Sequence, residues 1–210
     1  MKGSLIAGMI VNLFLIVDPV GLMPLFATIT RDRTRRERHR MIRKAIVVAF
    51  LVLAFFAAVG RHVLDYFDVG IPAVRIAGGI LLFVIGLEML YGRISRTETT
   101  DVEEAEAASK EDIGLTPLAI PLLAGPGSIA AVVLFSGMAE GAGGPLLVIA
   151  ALAVVMGSAW VLLRLTDRLL GLLGQIGIKV IARVMGLLLL FVATQFVVDG
   201  IRASGAFAGR

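Results

Sequence analysis

The chain has 210 residues, of which 58% are hydrophobic and only 17% charged, and its mean hydropathy of +0.94 lies far above what a soluble domain needs to fill its core. That composition excludes an ordinary soluble enzyme and reads as a membrane protein. With no cysteine and only His39 and His62, the sequence offers no Cys/His cluster for zinc, and the net charge of +4 gathers in one short segment instead of spreading over a nucleic-acid surface.

A membrane-crossing helix needs about 20 apolar residues. The first candidate span, 3–30, is broken only by Asp18 in the stretch DPVG. Lys2 and the apolar run after it resemble a signal peptide, but no small-x-small cleavage motif precedes a mature start. A basic segment follows at 31–44, with Arg31, Arg33, Arg35, Arg36, Arg38, Arg40, Arg43 and Lys44. It reads as a topology determinant, with an anionic-lipid or RNA patch as the alternatives. Spans two and three are 43–60 and 70–91, the latter holding Arg75 and Glu88. The segment 93–112 has seven acidic against three basic residues and reads as a solvated linker. Spans four, five and six are 113–139, 142–163 and 180–199, with Arg183 in the first turn of the last. With six spans, one side of the membrane collects fourteen lysines and arginines and the other four, so the expectation is a cytoplasmic side carrying the loops 31–44, 93–112 and 164–179, and both termini outside.

Residues 75–84 (RIAGGILLFV) match 183–192 (RVMGLLLLFV) at an offset of 108, and an offset of 107 lays Pro19 over Pro126. These matches point to a duplication, with a first three-helix repeat at 1–92 and a second at 113–210. Because three spans is an odd number, the second copy enters the membrane from the opposite face, giving an inverted repeat. The fold class expected is therefore an all-α polytopic membrane protein of six helices in two inverted repeats.

As straight helices, 3–30 and 113–139 would run ~42 and ~40 Å, past the roughly 30 Å of hydrocarbon. Each also carries a break near its middle, DPVG at 18–21 and AGPGS at 124–128. Pro19 and Pro126 remove a backbone donor, and Gly21, Gly125 and Gly127 permit an unwound turn. With both helices broken, two half-helix N-termini meet near the midplane and form a site for a small anion such as a carboxylate. Ser128 either caps its half-helix or donates to the ligand. Asp18 has three open roles: holding a ligand ammonium, carrying a proton for coupling, or capping a helix and pairing with Arg75 or Arg183. An anion site beside a carboxylate describes a receptor for a small zwitterion. Asn12 reaches the same cavity or packs between helices. Arg75 and Arg183 either snorkel or form a gating ion pair. Thr194 and Gln195 read as packing residues, and Glu88 and Asp199 as wet span ends.

DPVGLMPLF at 18–26 followed by PLLAGPGSIAAVV at 121–133 resembles the paired signature of the MarC family, and the likeness runs from the first span to the sixth. The resemblance implies a six-helix inner-membrane protein with outward termini and, as in characterised members, transport of glycine, alanine and similar amino acids. Its substrate region maps to Asp18, Pro19, Gly21, Gly125, Pro126, Gly127 and Ser128. No cofactor is expected beyond a proton or sodium ion for coupling, which the sequence leaves open, and no nucleic-acid partner. An intramembrane protease would need a histidine within a span or a second catalytic aspartate in the membrane; neither histidine lies in a span, and Asp199 reads as a wet span end. A non-transporting membrane module or an exporter of another small solute are the remaining alternatives.

Overall fold

The computed structural model describes residues 2–92, 123–138 and 144–205, all helical apart from short connections. The linker 93–112 and the first part of the expected fourth span lie outside the described residues. In chain order the helices are α1 (Lys2–Val17), α2 (Leu22–Ile29), α3 (Arg35–Tyr66), α4 (Ile71–Tyr91), α5 (Pro126–Met138), α6 (Gly144–Arg164) and α7 (Thr166–Ala203). α3, α4, α6 and the Ile176–Ala203 part of α7 are each long and apolar enough to cross a membrane. α1 from Ile6 onward and α2 pass the same test only together, as a pair bent by 44° at the break between them, the form of a broken span or a re-entrant loop. Four of the six expected spans, the second, third, fifth and sixth, thus have such a helix, and the first corresponds to the bent pair α1–α2. The fourth is represented by α5, which at 13 residues spans only ~20 Å by itself.

Helix ends follow local chemistry. Thr34 opens α3 with a reciprocal capping box: the Glu37 N–H donates to Thr34 Oγ1 at 3.3 Å, and the Thr34 N–H donates to Glu37 Oε2 at 2.8 Å. Those bonds to Thr34, helped by Arg33 and Arg40 nearby, hold the Glu37 carboxyl below the ordinary glutamate range. Asp68, at φ 53, reverses the chain after α3, and the Val69 N–H reaches back to the Leu64 carbonyl at 2.9 Å. Gly92, at φ 66, ends α4 in the left-handed conformation.

α5 lies deepest, with eight of its residues from Gly127 to Ser136 buried. α3 packs on both α5 and α6 and buries a face of Ala45, Ala49, Leu53, Ala57 and Gly60, spaced three and four apart. The small residues let the backbones approach, since a Cβ at Gly60 would sit 2.5 Å from a Val133 methyl. The most extensive helix pair is α4 against α7. Its register is antiparallel: Gly200 abuts Pro72, Gly79 abuts Ala193 and Val197, and Gly86 abuts Gly186. A Cβ on Gly86 would come within 3.1 Å of the Gly186 carbonyl, and one on Gly186 within 3.0 Å of the Gly86 carbonyl.

The arginine-rich segment after α2 and the α6–α7 junction meet at one end of the molecule. There Arg38 donates from Nε to the Thr30 carbonyl at 3.0 Å and from Nη1 to both Asp167 carboxylate oxygens at 2.8 and 2.7 Å. Residues 129 positions apart in sequence thereby tie α3 to the end of α2 and the start of α7.

Candidate functional site

The first break is built around Asp18. Its own N–H still donates to the Phe14 carbonyl at 3.0 Å, closing α1, but its φ of 42 turns the chain left-handed. Aspartate tolerates this conformation better than most residues with a Cβ. Pro19 follows, where no N–H is needed, and the Gly21 N–H donates to Asp18 Oδ1 at 3.1 Å. The Leu22 N–H reaches the Asp18 carbonyl at 3.3 Å. Asp18 thus ends one helix and caps the next, which is one of the three roles its sequence context left open. Gly21 makes the fold of the carboxylate possible, because a Cβ there would land on Asp18 Oδ2. Pro19 is buried and Asp18 partly buried; Oδ2 accepts no hydrogen bond from a described residue.

At the second break the chain is non-helical at Ala124 and Gly125, and α5 begins at Pro126. The sequence offers Ser128, two residues further on, as a cap for this half-helix. The difference follows from proline's fitness for the first helical position, where its fixed φ is already helical and its missing N–H costs nothing. Ser128 therefore stands on the third helical position, and the Ile129 N–H takes the Gly125 carbonyl at 3.0 Å as the first intrahelical bond. The N–H groups of Gly127 and Ser128 have no acceptor among the described residues. Leu123, Ala124, Gly125, Gly127 and Ser128 are all buried, while Pro126 is exposed.

The two breaks are neighbours. A Cβ on Gly127 would stand 3.0 Å from Ile85 of α4 and 3.9 Å from Ile16, two residues before Asp18. Gly127 thus lets the start of α5 wedge between the end of α1 and the middle of α4. The N-terminal poles of α2 and α5, each carrying about half a positive charge, belong to these adjoining breaks. At α2 that pole is already neutralised in part by Asp18.

The other candidates lie apart. Asn12 is partly buried on α1, more than a turn before the break. Arg75 is near the start of α4 beside Gly200, and Arg183 is exposed on α7 with its guanidinium by Gly92, at the other end of α4. The antiparallel register sends the two matched arginines to opposite ends of the helix pair. Neither is within salt-bridge distance of Asp18 among the described residues. Thr194 donates to the Leu190 carbonyl at 2.8 Å, and Gln195 to Asp199 at 2.8 Å.

Sequence reasoning passed over Ser136, whose hydroxyl is buried on α5 without a partner among the described residues. The signal was present in the spacing: Ser128 and Ser136 are eight residues apart and so share a helix face. It also passed over the Arg38–Asp167 pair, for which no local pattern exists.

The four long apolar helices and the bent α1–α2 pair define a multi-pass helical integral membrane protein. The model of the MarC family integral membrane proteins matches residues 3–204, and the chain belongs to that family. It is 37% identical to the UPF0056 membrane protein MJ1677 of Methanocaldococcus jannaschii, over 92% of this chain and 94% of that one. It is 34% identical to the UPF0056 membrane protein YvbG of Bacillus subtilis, over 96% of both chains. It is likewise 34% identical to the UPF0056 membrane protein YhcE of Escherichia coli, over 95% of this chain and 92% of that one. The family thus has bacterial and archaeal members. No solved structure matches the chain.

Proposed function

We propose that the protein is a secondary transporter of small neutral amino acids of the glycine and alanine kind, working by alternating access around the adjoining breaks. The observation that carries this reading is the chemistry at the two half-helix ends. The N–H groups of Gly127 and Ser128, which have no acceptor among the described residues, suit a ligand carboxylate, and Oδ2 of Asp18, which accepts no hydrogen bond from a described residue, suits a ligand ammonium. Asp18 is also the group to exchange a proton or bind sodium for coupling, while Arg75 and Arg183 act at the two ends of the α4–α7 pair.

In this reading the chain is a pair of inverted three-helix repeats, 1–92 and 113–210, joined by the acidic linker 93–112. It lies in the cytoplasmic membrane with both termini outside. The antiparallel register of α4 and α7, which carry the matched decapeptides, supports the repeat. The meeting of the segment 31–44 with the α6–α7 junction at one end supports the orientation.

Uptake of labelled glycine or alanine into proteoliposomes under proton and sodium gradients tests the proposal. Asp18→Asn is the decisive variant, since asparagine tolerates a positive φ and keeps an oxygen for the Gly21 N–H while losing the charge. The expected result is a stable protein without coupled transport. Undiminished transport with an unchanged pH profile would reduce Asp18 to a cap, and no accumulation by the native protein under any gradient would favour a non-transporting module.

A further inference from the structure

At the arginine-rich end a cleft of about 430 Å³ is lined by Arg36, His39, Arg40 and Arg43 of α3 and by Trp160 and Arg164 of α6. We propose that this cleft binds the phosphate headgroup of an anionic glycerophospholipid, with an acyl chain lying along the seam between the two helices. Among the described residues the lining holds four arginines and no carboxylate. The nearby Asp167 is already held by Arg38. Arg164 lies over the Trp160 ring at 4.4 Å from its centroid, which fixes the guanidinium at the mouth and sets an indole at the level where such rings meet lipid headgroups.

What selects a lipid over a dissolved anion is the surface that continues from the basic mouth. On α3, Arg36, Arg40 and Arg43 are followed along the same exposed stripe by Val47 and Leu51, which are 49% and 60% exposed. The spacing of four, three, four and four keeps all five on one helix face. On α6, exposed Arg164 and Trp160 are followed at the same kind of spacing by exposed Gly157 and Ala153. A Cβ on Gly157 would meet nothing within 4 Å, so a notch lies one turn from the indole. α3 and α6 pack together, running in opposite directions, so both stripes descend from the basic mouth onto apolar surface. A phosphate on a hydrocarbon tail matches charge to charge and chain to groove along the whole feature. This inference stands independently of the transport proposal.

The test is native mass spectrometry of the full-length protein in detergent, titrated with phosphatidylglycerol and with phosphatidylcholine. The native protein retains phosphatidylglycerol preferentially. Arg40→Gln with Arg43→Gln lowers that affinity about thirtyfold, on the basis of two arginines near a phosphate. Arg31→Gln with Arg33→Gln removes the same charge outside the cleft and lowers it less than about threefold. Arg40→Lys with Arg43→Lys keeps most of the binding and shows that a loss in the glutamine variant is not misfolding. Gly157→Leu fills the notch and weakens the lipid while leaving the arginines untouched. Equal losses from the two glutamine pairs would reduce the effect to diffuse surface attraction and overturn the proposal. Displacement of the lipid by excess inorganic phosphate would assign the cleft to a free anion and overturn it equally.

Discussion

Gly21 offers a clean probe of the first break, because its backbone gives no reason for glycine. Its φ of −63 and ψ of −27 are helical, so alanine would be welcome there, with a usual gain of about 0.4–1 kcal/mol from a less flexible unfolded chain. The one obstacle is the Asp18 carboxylate, on which the new methyl group would land. Gly21→Ala therefore expels that carboxylate and breaks the 3.1 Å bond from the Gly21 N–H, a capping interaction worth about 1–2 kcal/mol. The net expectation in the native background is a loss of up to about 1.5 kcal/mol. In an Asp18→Gly background the obstacle is gone, the positive φ is tolerated, and Gly21→Ala becomes neutral or stabilising. The cycle thus predicts a coupling of about 1–2 kcal/mol with a change of sign between backgrounds, measured by denaturant unfolding in micelles. If Gly21→Ala has the same effect in both backgrounds to within about 0.5 kcal/mol, the carboxylate does not cap α2 and this account of the break is wrong.

Arg38→Ala is expected to cost about 1–2 kcal/mol, more than Asp167→Ala at below about 1 kcal/mol, because Asp167 is 60% exposed and its loss leaves the Arg38 bond to Thr30 intact; unfolding of the two single variants compares them. Gly186→Ala is expected to lower stability by about 1–3 kcal/mol, since its Cβ would stand 2.7 Å from that of Met89, whereas Gly171→Ala, with nothing within 4 Å, is expected to raise stability or leave it unchanged. Glu37 has a folded-state pKa lowered by its bonds to Thr34, so its contribution to the start of α3 is present above the unfolded glutamate range and lost as pH falls through the lowered value. An NMR titration of the Thr34 and Glu37 amides should follow that acid-side loss, and Glu37→Gln should abolish the titration while retaining a capping acceptor.

Hydropathy located the spans well because burial in lipid and lack of charge are one physical condition. The limits 70–91 and 142–163 fall within two residues of α4 (Ile71–Tyr91) and α6 (Gly144–Arg164). Where helices run on past the apolar zone, the same reading stops short. α3 begins at Arg35, eight residues before the expected 43, and α7 at Thr166, with a kink at Gly174, where the expected span began at 180. The sequence T-R-R-E at 34–37 announces the first of these starts through its capping box, a signal that composition alone does not register. The site was legible in part. DPVG marks a break wherever it falls in a helix, but the folding back of the Asp18 carboxylate onto the Gly21 N–H depended on a dihedral angle that no residue pattern specifies. The Ile16–Gly127 approach needed the third dimension outright.

The glycine-to-carbonyl seam between α4 and α7 has a consequence for chain continuity. These two helices come from opposite sides of the segment 93–112, yet among the described residues they adhere to each other more closely than to any neighbour within their own half. A protein cut between residues 93 and 112 should therefore stay in one piece, and its two fragments, made from separate messages in one cell, should find each other in the bilayer.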